Sequence, residues 1–394
     1  MSAAMREGYK QTEVGVIPEN WESKRLDELG LWKGGVTPSM QNQSYWSNGN
    51  LPWISSGDVK TVLLKETGFS ITPFAVKQGA ATLLPPNSIV MVTRSGILRK
   101  YLPVEMNVIQ MAINQDIKAL IPTSKYSPTY LLHALIWSGD RIMSRCLKAG
   151  TTVESIEFPW LKAFVIPVAP LPEQRAIAAA LSDVDALLAK LDALVTKKRD
   201  LKQAAMHQLL TGLIRLPGFS AEWERRQFFE ICYMRSGEGI TSADIDNHSK
   251  FPCYGGNGLR GYATRYTHEG TYALIGRQGA LCGNVLTVNG QFFASEHAIV
   301  VTPFSGINIQ WLAVVLERMN LNQYSESSAQ PGLSVSRLLS FSTQVPAFEE
   351  QAAIATVLTD MDAELTALEA RRHKTRALKQ GMMQELLTGR IRLV

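Results

Sequence analysis

The chain is short of the features that mark secreted and membrane proteins. Its 394 residues include only four cysteines, none in a C-x-x-C pair, which is typical of a reduced intracellular protein. No apolar run approaches the ~20 residues of a membrane span, and the polar first ten residues contain no apolar signal core. We therefore predict a cytoplasmic protein that has no membrane partner.

Sequence motifs of several enzyme classes are also missing. The chain has no G-x-x-x-x-G-K-[ST] phosphate loop, no Asn-Pro-Pro-aromatic tetrad of the kind amino-methyltransferases use, and no acidic pair with a spaced Glu-x-Lys for metal-dependent DNA cleavage. Gly256, Gly258 and Gly261 match the spacing of a dinucleotide-binding fingerprint, but the β-like residues after them favour a glycine-rich turn. We predict no catalytic residue and no cofactor-binding residue in this chain.

Metal ligands are scarce as well. Cys253, His268, Cys282 and His297 do not have the spacing of a compact ligand knuckle, so we expect core residues and no metal site. His133 lies on the apolar face of a predicted helix and is interpreted as structural.

The excess of basic over acidic side chains is small. The net charge is +5 with charged residues at 19%, which leans toward an anionic partner but is low for a free-standing DNA-binding protein. Either the basic side chains cluster on one face, or a partner supplies part of the contact with phosphate.

The most informative feature that is present is an internal repeat. Residues 174–216 and 351–393 align without a gap at an offset of 177, and more than half of the positions are identical. In both copies apolar residues recur in steps of four and three, which predicts helices packed side by side. Pro172 and Gly212 bound the first helix, and Gly389 ends the second in the matching place.

The two remaining segments have short β-type runs and one clear helix each. The predicted strands are 88–93, 272–275 and 298–302, and the predicted helices are 128–136 and 309–318. The class is α+β, with two similar globular domains and two long helices related by a pseudo-two-fold. We place the domain bounds at 1–170, 171–216, 217–345 and 346–394.

The two segments also match in the order of short anchors. The pairs are Trp21-Glu22 with Trp223-Glu224, Arg94-Ser95-Gly96 with Arg277-Gln278-Gly279, Asn114-Gln115-Asp116 with Ser295-Glu296-His297, and 149–152 with 330–333. Between the anchors the sequences diverge. A shared scaffold with different surface residues is what two readers of different targets would need.

Residue types in the predicted loops favour DNA reading. Arg suits guanine, Asn and Gln suit adenine, and Ser, Thr, Tyr and Lys add contacts to bases or phosphates. The candidates are Ser55, Ser56, Lys60, Arg94, Ser95, Arg99 and Lys100 in the first half, and Tyr254, Asn257, Arg260, Tyr262, Arg265, Arg277 and Gln278 in the second.

These residues occur in stretches that resemble a known family. The stretches are 52–59, 114–120, 166–177, 254–258, 295–299 and 329–334, with the Leu-Leu-Thr-Gly endings at 209–212 and 386–389. Together they resemble the specificity subunit of Type I restriction-modification systems, over nearly the whole chain. One departure is the segment 346–351, which differs from the 170–174 stretch of the first copy and leaves the start of the second helix in question.

The resemblance implies that recognition, modification and restriction are carried out by different subunits. Two target-recognition domains would each read half of a split site on double-stranded DNA, and the helices would form an antiparallel coiled coil that sets the spacing. Two modification subunits would dock on the helices, bind S-adenosylmethionine and methylate adenine. Restriction subunits would hydrolyse ATP with Mg²⁺ and cut DNA.

Three alternatives remain at this point. The chain could be the DNA-recognition subunit of another bipartite system, in which methylation and cleavage share one partner chain. It could be an enzyme in its own right, or a coiled-coil adaptor without a DNA role. The recognised DNA sequence does not follow from residue types, because loop geometry and DNA shape also decide base choice.

Overall fold

The structure is a computed structural model that describes residues 7–148, 153–279, 281–325 and 332–393. It divides into two compact units. The first unit comprises the described residues up to Asp192 together with those from Arg371 onward, and the second comprises Ala193–Ala370. Each unit therefore contains one globular domain and a segment of both long helices, which confirms the predicted α+β class.

The domain of the first unit is built on two mixed sheets. Its elements are β1 Tyr9–Thr12, β2 Gly15–Pro18, β3 Glu22–Arg25, β4 Gly30–Gly34, β5 Leu51–Ile54, β6 Leu63–Leu64, β7 Phe69–Ile71, α1 Pro73–Lys77, β8 Thr82–Leu84, β9 Ile89–Val92, β10 Val104–Asn107, β11 Met111–Ile113, β12 Ile117–Pro122, α2 Pro128–Trp137, α3 Gly139–Cys146, α4 Phe158–Ala163 and β13 Val165–Val168, followed by the long helix α5 Leu171–Leu210. The sheet orders are β4-β12-β9-β10-β6 and β7-β5-β11-β8, with β1-β2 and β13-β3 as separate pairs.

The domain of the second unit is built on one larger sheet. Its elements are β14 Glu224–Gln227, α6 Phe228–Ile231, β15 Cys232–Ser236, β16 Phe251–Gly255, β17 Gly258–Ala263, β18 His268–Gly276, β19 Val285–Ala294, β20 Ala298–Pro303, α7 Ile309–Arg318, α8 Val335–Leu339 and β21 Ser342–Val345, followed by the long helix α9 Phe348–Leu386. The sheet order is β15-β20-β18-β19-β16-β17, and β14 pairs with β21.

The two domains share one topology with a local difference. In the second, β18 and β19 form one long antiparallel hairpin. In the first, the same hairpin is split into β9 with β10 and β8 with β11. Pro85 and Pro86 lie between β8 and β9, and proline cannot donate to a strand ladder. The prolines therefore explain why the first domain has two smaller sheets.

The predicted strands and short helices are confirmed, and the glycine fingerprint is a turn. The strands 88–93, 272–275 and 298–302 correspond to β9, part of β18 and β20, and the helices 128–136 and 309–318 correspond to α2 and α7. Gly256 lies in the turn between β16 and β17, and Gly258 and Gly261 lie on β17, with no helix after them. The anchors at 149–152 and 330–331 lie outside the described residues.

The core of each domain includes some of the regularly spaced apolar residues of the long helices. Ile177 and Leu181 of α5 are buried in the core of the first unit, and Ile354 and Leu358 of α9 are buried in the core of the second. The helices are thus integral to the domains. In the part of the chain that the structure describes, no helix is long and apolar enough to cross a membrane.

Ion pairs give the direction of the helix segments in the first unit. Asp185 of α5 pairs with Lys379 of α9 at 2.5 Å. Asp192, two turns further along α5, pairs with Arg376 at 3.3 Å and with Arg372 at 3.2 Å. Residue numbers rise along one helix as they fall along the other, so the segments are antiparallel. Arg372, which stands where the first repeat has an apolar residue, is accommodated by this ion pair.

The second unit repeats the arrangement. Lys202 of α5 pairs with Asp362 of α9 at 2.6 Å, and Arg199 pairs with Glu369. Adding the repeat offset of 177 to Asp185 and Asp192 gives Asp362 and Glu369. The repeat therefore encodes the same antiparallel packing twice.

Both long helices begin in the same way. Gln174 donates to the carbonyl of Ala169 at 2.7 Å and accepts from the Ser127 amide at 2.9 Å. Gln351 donates to the carbonyl of Pro346 at 2.8 Å and accepts from the Asn308 amide at 2.8 Å. The unusual segment before α9 has not altered its start.

The helix ends agree with the sequence interpretation except at one residue. α5 begins at Leu171, so Pro172 lies in the first turn rather than before the helix. Proline is tolerated there because the first amides of a helix have no partner within it. Gly212 and Gly389 follow the two helices with φ of 70°, a left-handed conformation that favours glycine.

A buried carboxylate joins the domain of the first unit to both helices. Glu173 of α5 accepts a hydrogen bond from the Trp21 indole at 2.9 Å. It also accepts two from Arg392, at 2.6 and 2.8 Å, and its side chain is 1% exposed. We call this group the first clasp. Because Arg392 follows α9, the clasp fastens the end of one helix to the start of the other.

The second unit contains the equivalent second clasp. Glu350 of α9 accepts from the Trp223 indole at 3.0 Å and from Arg215, which follows α5, at 2.6 and 2.7 Å. Its side chain is also 1% exposed. The hydrogen bond to Glu350 raises the pKa of Arg215, so the guanidinium stays charged. Trp21-Glu22 and Trp223-Glu224, the sequence anchors, thus begin the domains at equivalent clasps.

Candidate nucleic-acid interface

Three loops of the first domain meet at one corner. The Asn114 amide donates to the carbonyl of Ile54 at 3.0 Å, which joins the turn after β11 to the end of β5. The Thr93 amide donates to the carbonyl of Asp116 at 2.8 Å, which joins the same turn to the loop after β9. We call this group of loops, residues 55–60, 94–100 and 114–116, the first corner.

The second domain has a corner with the same backbone connections. The Ser295 amide donates to the carbonyl of Tyr254 at 2.8 Å, and the Arg277 amide donates to the carbonyl of His297 at 2.8 Å. We call residues 254–257, 277–278 and 295–297 the second corner. On this correspondence Arg94 and Gln278 hold equivalent places, and each forms an isolated antiparallel bridge, with Ser155 and Gly332 respectively. The pairing of Arg94 with Arg277 predicted from the anchors is therefore wrong by one residue.

In each domain a glycine, Gly35 or Gly237, lies directly against the backbone at the turn of the corner, at a place where no side chain can be accommodated. A Cβ on Gly35 would lie 1.9 Å from the carbonyl oxygen of Asn114, and one on Gly237 would lie 2.1 Å from that of Ala294. No side chain fits at either place without moving the backbone. The two corners are therefore built to one backbone plan.

The structure separates the candidates of the first corner into two groups. Ser55 is engaged locally, since its hydroxyl donates to Asp58 at 2.6 Å, and Ser95 caps the short helix after it by accepting from Ile97. Arg99 pairs with Glu154 at 2.6 Å. Ser56 is half-buried. Lys60, Arg94 and Lys100 have exposed side chains, and their role in binding stays a prediction.

The second corner is more aromatic. Tyr254 is half-buried against Phe292, with ring centroids 5.9 Å apart. Arg277 is half-buried, and exposed Gln278 lies 3.2 Å from a ring nitrogen of His297 through its side-chain oxygen. Asn257 is exposed in the turn after β16.

The remaining candidates of the second domain lie on and after strand β17. Arg260 is exposed, and Tyr262 is half-buried, with its backbone paired to Asp246. Arg265 is exposed, pairs with Glu238 at 2.7 Å and lies over the Phe293 ring at 4.7 Å. Arg260 and Tyr262 thus lie on the β16–β17 hairpin that extends from the second corner, and Arg265 follows it. Their role in binding stays a prediction.

Sequence reasoning missed several residues of both corners. Gln115, hydrogen-bonded to Thr37, lies in the first, and Glu296 and His297, 3.2 Å apart, lie in the second. The signal was available, because the turns that hold them had been matched as anchors. Candidates were taken from the Arg94-Ser95 and Arg277-Gln278 anchors and not from these turns, although a polar turn between two loops that could read bases is itself a candidate for base contact.

Of the four residues considered as metal ligands, the two cysteines lie in the interior as predicted. His268 is half-buried, and the His297 side chain is 43% exposed at the second corner, so the prediction of a core residue is wrong for His297. Cys253 and Cys282 are buried, and within the described ranges no three His, Cys, Asp or Glu side chains form a group that could hold a metal ion. His133 is fully buried on α2, and burial with the charge of Lys379 lowers its pKa to about 4. It is therefore neutral at pH 7.

Behind the first corner lies a buried acid. Glu105 of β10 is 1% exposed and accepts a hydrogen bond from the backbone amide of Thr61, next to Lys60. Burial raises the pKa of Glu105 to about 7, against the opposing effect of the Thr61 and Lys60 amides. The loop that carries Lys60 is thus fastened by a carboxyl group that titrates near neutral pH.

Stability of the first unit should depend on the charge of Glu105. Since its pKa is higher in the folded than in the unfolded protein, the folded state holds more protons between pH 4.5 and 7, and stability falls as pH rises through that window. We expect Glu105→Gln to remove about 1 to 3 kcal/mol of this fall. Urea midpoints of both proteins at pH 5 and pH 8 measure it, with the exposed Glu66→Gln as control. Parallel pH curves for wild type and Glu105→Gln would contradict the prediction.

The repeated corners and the paired helices define a class of two-domain DNA-recognition proteins, and the comparisons agree. The family described as Type I restriction modification DNA specificity domain matches residues 18–197 and 220–377. The chain belongs to this family, which confirms the resemblance and gives it a DNA-specificity role in a restriction-modification complex.

Individual relatives extend over most of the chain. The chain is 35% identical over 353 residues to the Type I restriction enzyme EcoprrI specificity subunit of Escherichia coli, covering 86% of each. It is 36% identical over 182 residues to the EcoR124I/EcoR124II specificity subunit of the same species, covering 46% of this chain and 45% of that one. Among solved structures, the S subunit of M. genitalium has a TM-score of 0.68 at 19% identity, covering 93% of this chain and 96% of that one, which shows a shared fold.

Proposed function

We propose that the chain reads a bipartite site on double-stranded DNA, one half with each corner, and has no catalytic activity of its own. The observation that carries the proposal is the pair of corners, which share backbone hydrogen bonds but expose different side chains. Arg94 and Gln278 hold equivalent places, and arginine suits guanine whereas glutamine suits adenine. One backbone plan with two sets of side chains is suited to an asymmetric target.

In this proposal the paired helices set the distance between the half-sites and dock two modification subunits and the restriction subunits in the cytoplasm. S-adenosylmethionine, ATP and Mg²⁺ would be bound by those partners. The low net charge of +5 supports shared contact with phosphate. A solved structure described as showing complex assembly and conformational transition of the type I R-M system has a TM-score of 0.55 to this chain at 15% identity.

Mapping of methylated adenines tests the proposal directly. We expect a complex of this chain with its modification subunits to methylate one interrupted sequence, and a footprint to protect two blocks with a gap between them. The chain purified alone should show no methylation and no nicking. One contiguous protected block, or methylation without sequence preference, would contradict the proposal.

A further inference from the structure

A groove in the first unit is bounded by α2, the start of α3 and the two long helices. It encloses about 660 Å³. Its walls are apolar at Ile136, Trp137 and Met383, and basic at Arg141, Arg376 and Lys379. We call it the α2–α9 groove. An apolar wall with several cations suits a side chain that has an aliphatic stem and an anionic end.

The second unit shows what the equivalent place contains. Ser127 and Asn308 make the same hydrogen bond to the glutamine that starts each long helix, so Glu317 of α7 holds the position that Ile136 holds on α2. Glu317 lies 3.6 Å from Lys202, the equivalent of Lys379.

The lysines of the two units therefore differ in their surroundings. Lys202 lies near two carboxylates, Glu317 and Asp362. Lys379 forms its ion pair with Asp185, the equivalent of Asp362, and at the place of Glu317 the chain has Ile136. At this helix position the second unit thus has a carboxylate beside the lysine, whereas the first unit has an apolar side chain.

Arg141 adds a second cation to the groove. It is half-buried, lies 4.2 Å from the Trp137 ring and donates to the Ser138 hydroxyl at 3.0 Å. Over the ranges that the structure describes, it forms no ion pair with a carboxylate. Burial, together with the charge of Arg145, lowers its pKa. A desolvated guanidinium gains strongly from a carboxylate partner.

We propose that the α2–α9 groove receives a carboxylate side chain of a modification subunit, which takes in the first unit the place that Glu317 takes in the second. The inference rests on the proposed function for the identity of the partner. A protein side chain fits better than DNA, because the apolar walls of the groove can pack against the aliphatic stem of a glutamate, whereas a phosphate backbone has no such stem.

Two opposite substitutions test the proposal in the full chain. Arg141→Gln removes the cation, and Ile136→Glu supplies the carboxylate from within, as the second unit does. In the proposed function two modification subunits bind one chain. We expect either substitution to weaken the binding of the subunit that docks at the first unit about tenfold to a hundredfold, and to leave the binding of the other subunit unchanged. Ile136→Gln should weaken it less than Ile136→Glu. Lys77→Gln, an exposed residue of α1 in the same domain, is the charge-matched control and should change neither step more than about twofold.

The outcomes separate this inference from the proposed function. Unchanged affinity for the modification subunit in both Arg141→Gln and Ile136→Glu would overturn the groove as its docking site. If that affinity were unchanged and random-sequence DNA bound more weakly and with less salt dependence, the groove would be assigned to phosphate binding, and the docking proposal would be overturned as well. A wild-type complex without sequence preference would overturn the proposed function instead, and the affinities would still decide the inference.

Discussion

Replacing Glu173 by alanine should lower the free energy of unfolding of the first unit by about 2 to 4 kcal/mol, because it removes the common acceptor of the first clasp. The Trp21 indole and the Arg392 guanidinium would both lose their partner in a place where Glu173 itself is 1% exposed. Glu173→Gln keeps an acceptor for the indole but loses the ion pair, so its effect should be smaller. Urea unfolding of the full chain, followed by tryptophan fluorescence, measures the change.

Glu350→Ala should have an effect of similar size on the second unit, since Glu350 binds Trp223 and Arg215 in the same way. The matched control is Glu364→Ala, which removes an exposed ion pair with Lys198 and should cost about 0 to 1 kcal/mol. If the clasp variants were as stable as Glu364→Ala, the clasps would not be holding the helix ends to the domains.

The second large effect concerns base reading. We expect Arg94→Ala to reduce discrimination at one base pair of one half-site by about tenfold to a hundredfold, and Gln278→Ala to do the same in the other half-site. Each corner is built from its own domain, so a change in one should leave reading by the other intact. Methylation of DNA libraries with one half-site randomised at a time measures both effects.

Each of these variants serves as the control for the other. Loss of discrimination in both half-sites from either single change would mean that the corners do not read independently. No loss from either would remove Arg94 and Gln278 from the reading surface, and would leave Gln115 and His297, which lie in the same corners, as the next residues to substitute.

The architecture was largely predictable because its signals are local. Helix periodicity and glycine ends are properties of consecutive residues, and the offset of 177 repeats them. Three strands, β9, β18 and β20, were found from short apolar runs for the same reason. The division of the first domain into two sheets was missed, although the prolines responsible are visible in the sequence.

The reading surface was less predictable, because exposure depends on what the rest of the chain covers. Ser55 and Ser95 have the residue type of a DNA contact but are engaged by their own loops. Glu105 gave no sequence signal, since its burial comes from neighbours distant along the chain.

By itself the sequence determined that the protein has two related helices, two domains of one kind and polar loops of the type that read DNA. Only the tertiary structure decided which residues meet. Glu173 and Arg392 are 219 positions apart, and their pairing follows from antiparallel packing of the helices rather than from any pattern near either residue. Helices and strands can be predicted because they depend on residues that are close in the sequence. The clasps, corners and grooves depend on contacts between residues that are distant in the sequence and are brought together only by the tertiary fold.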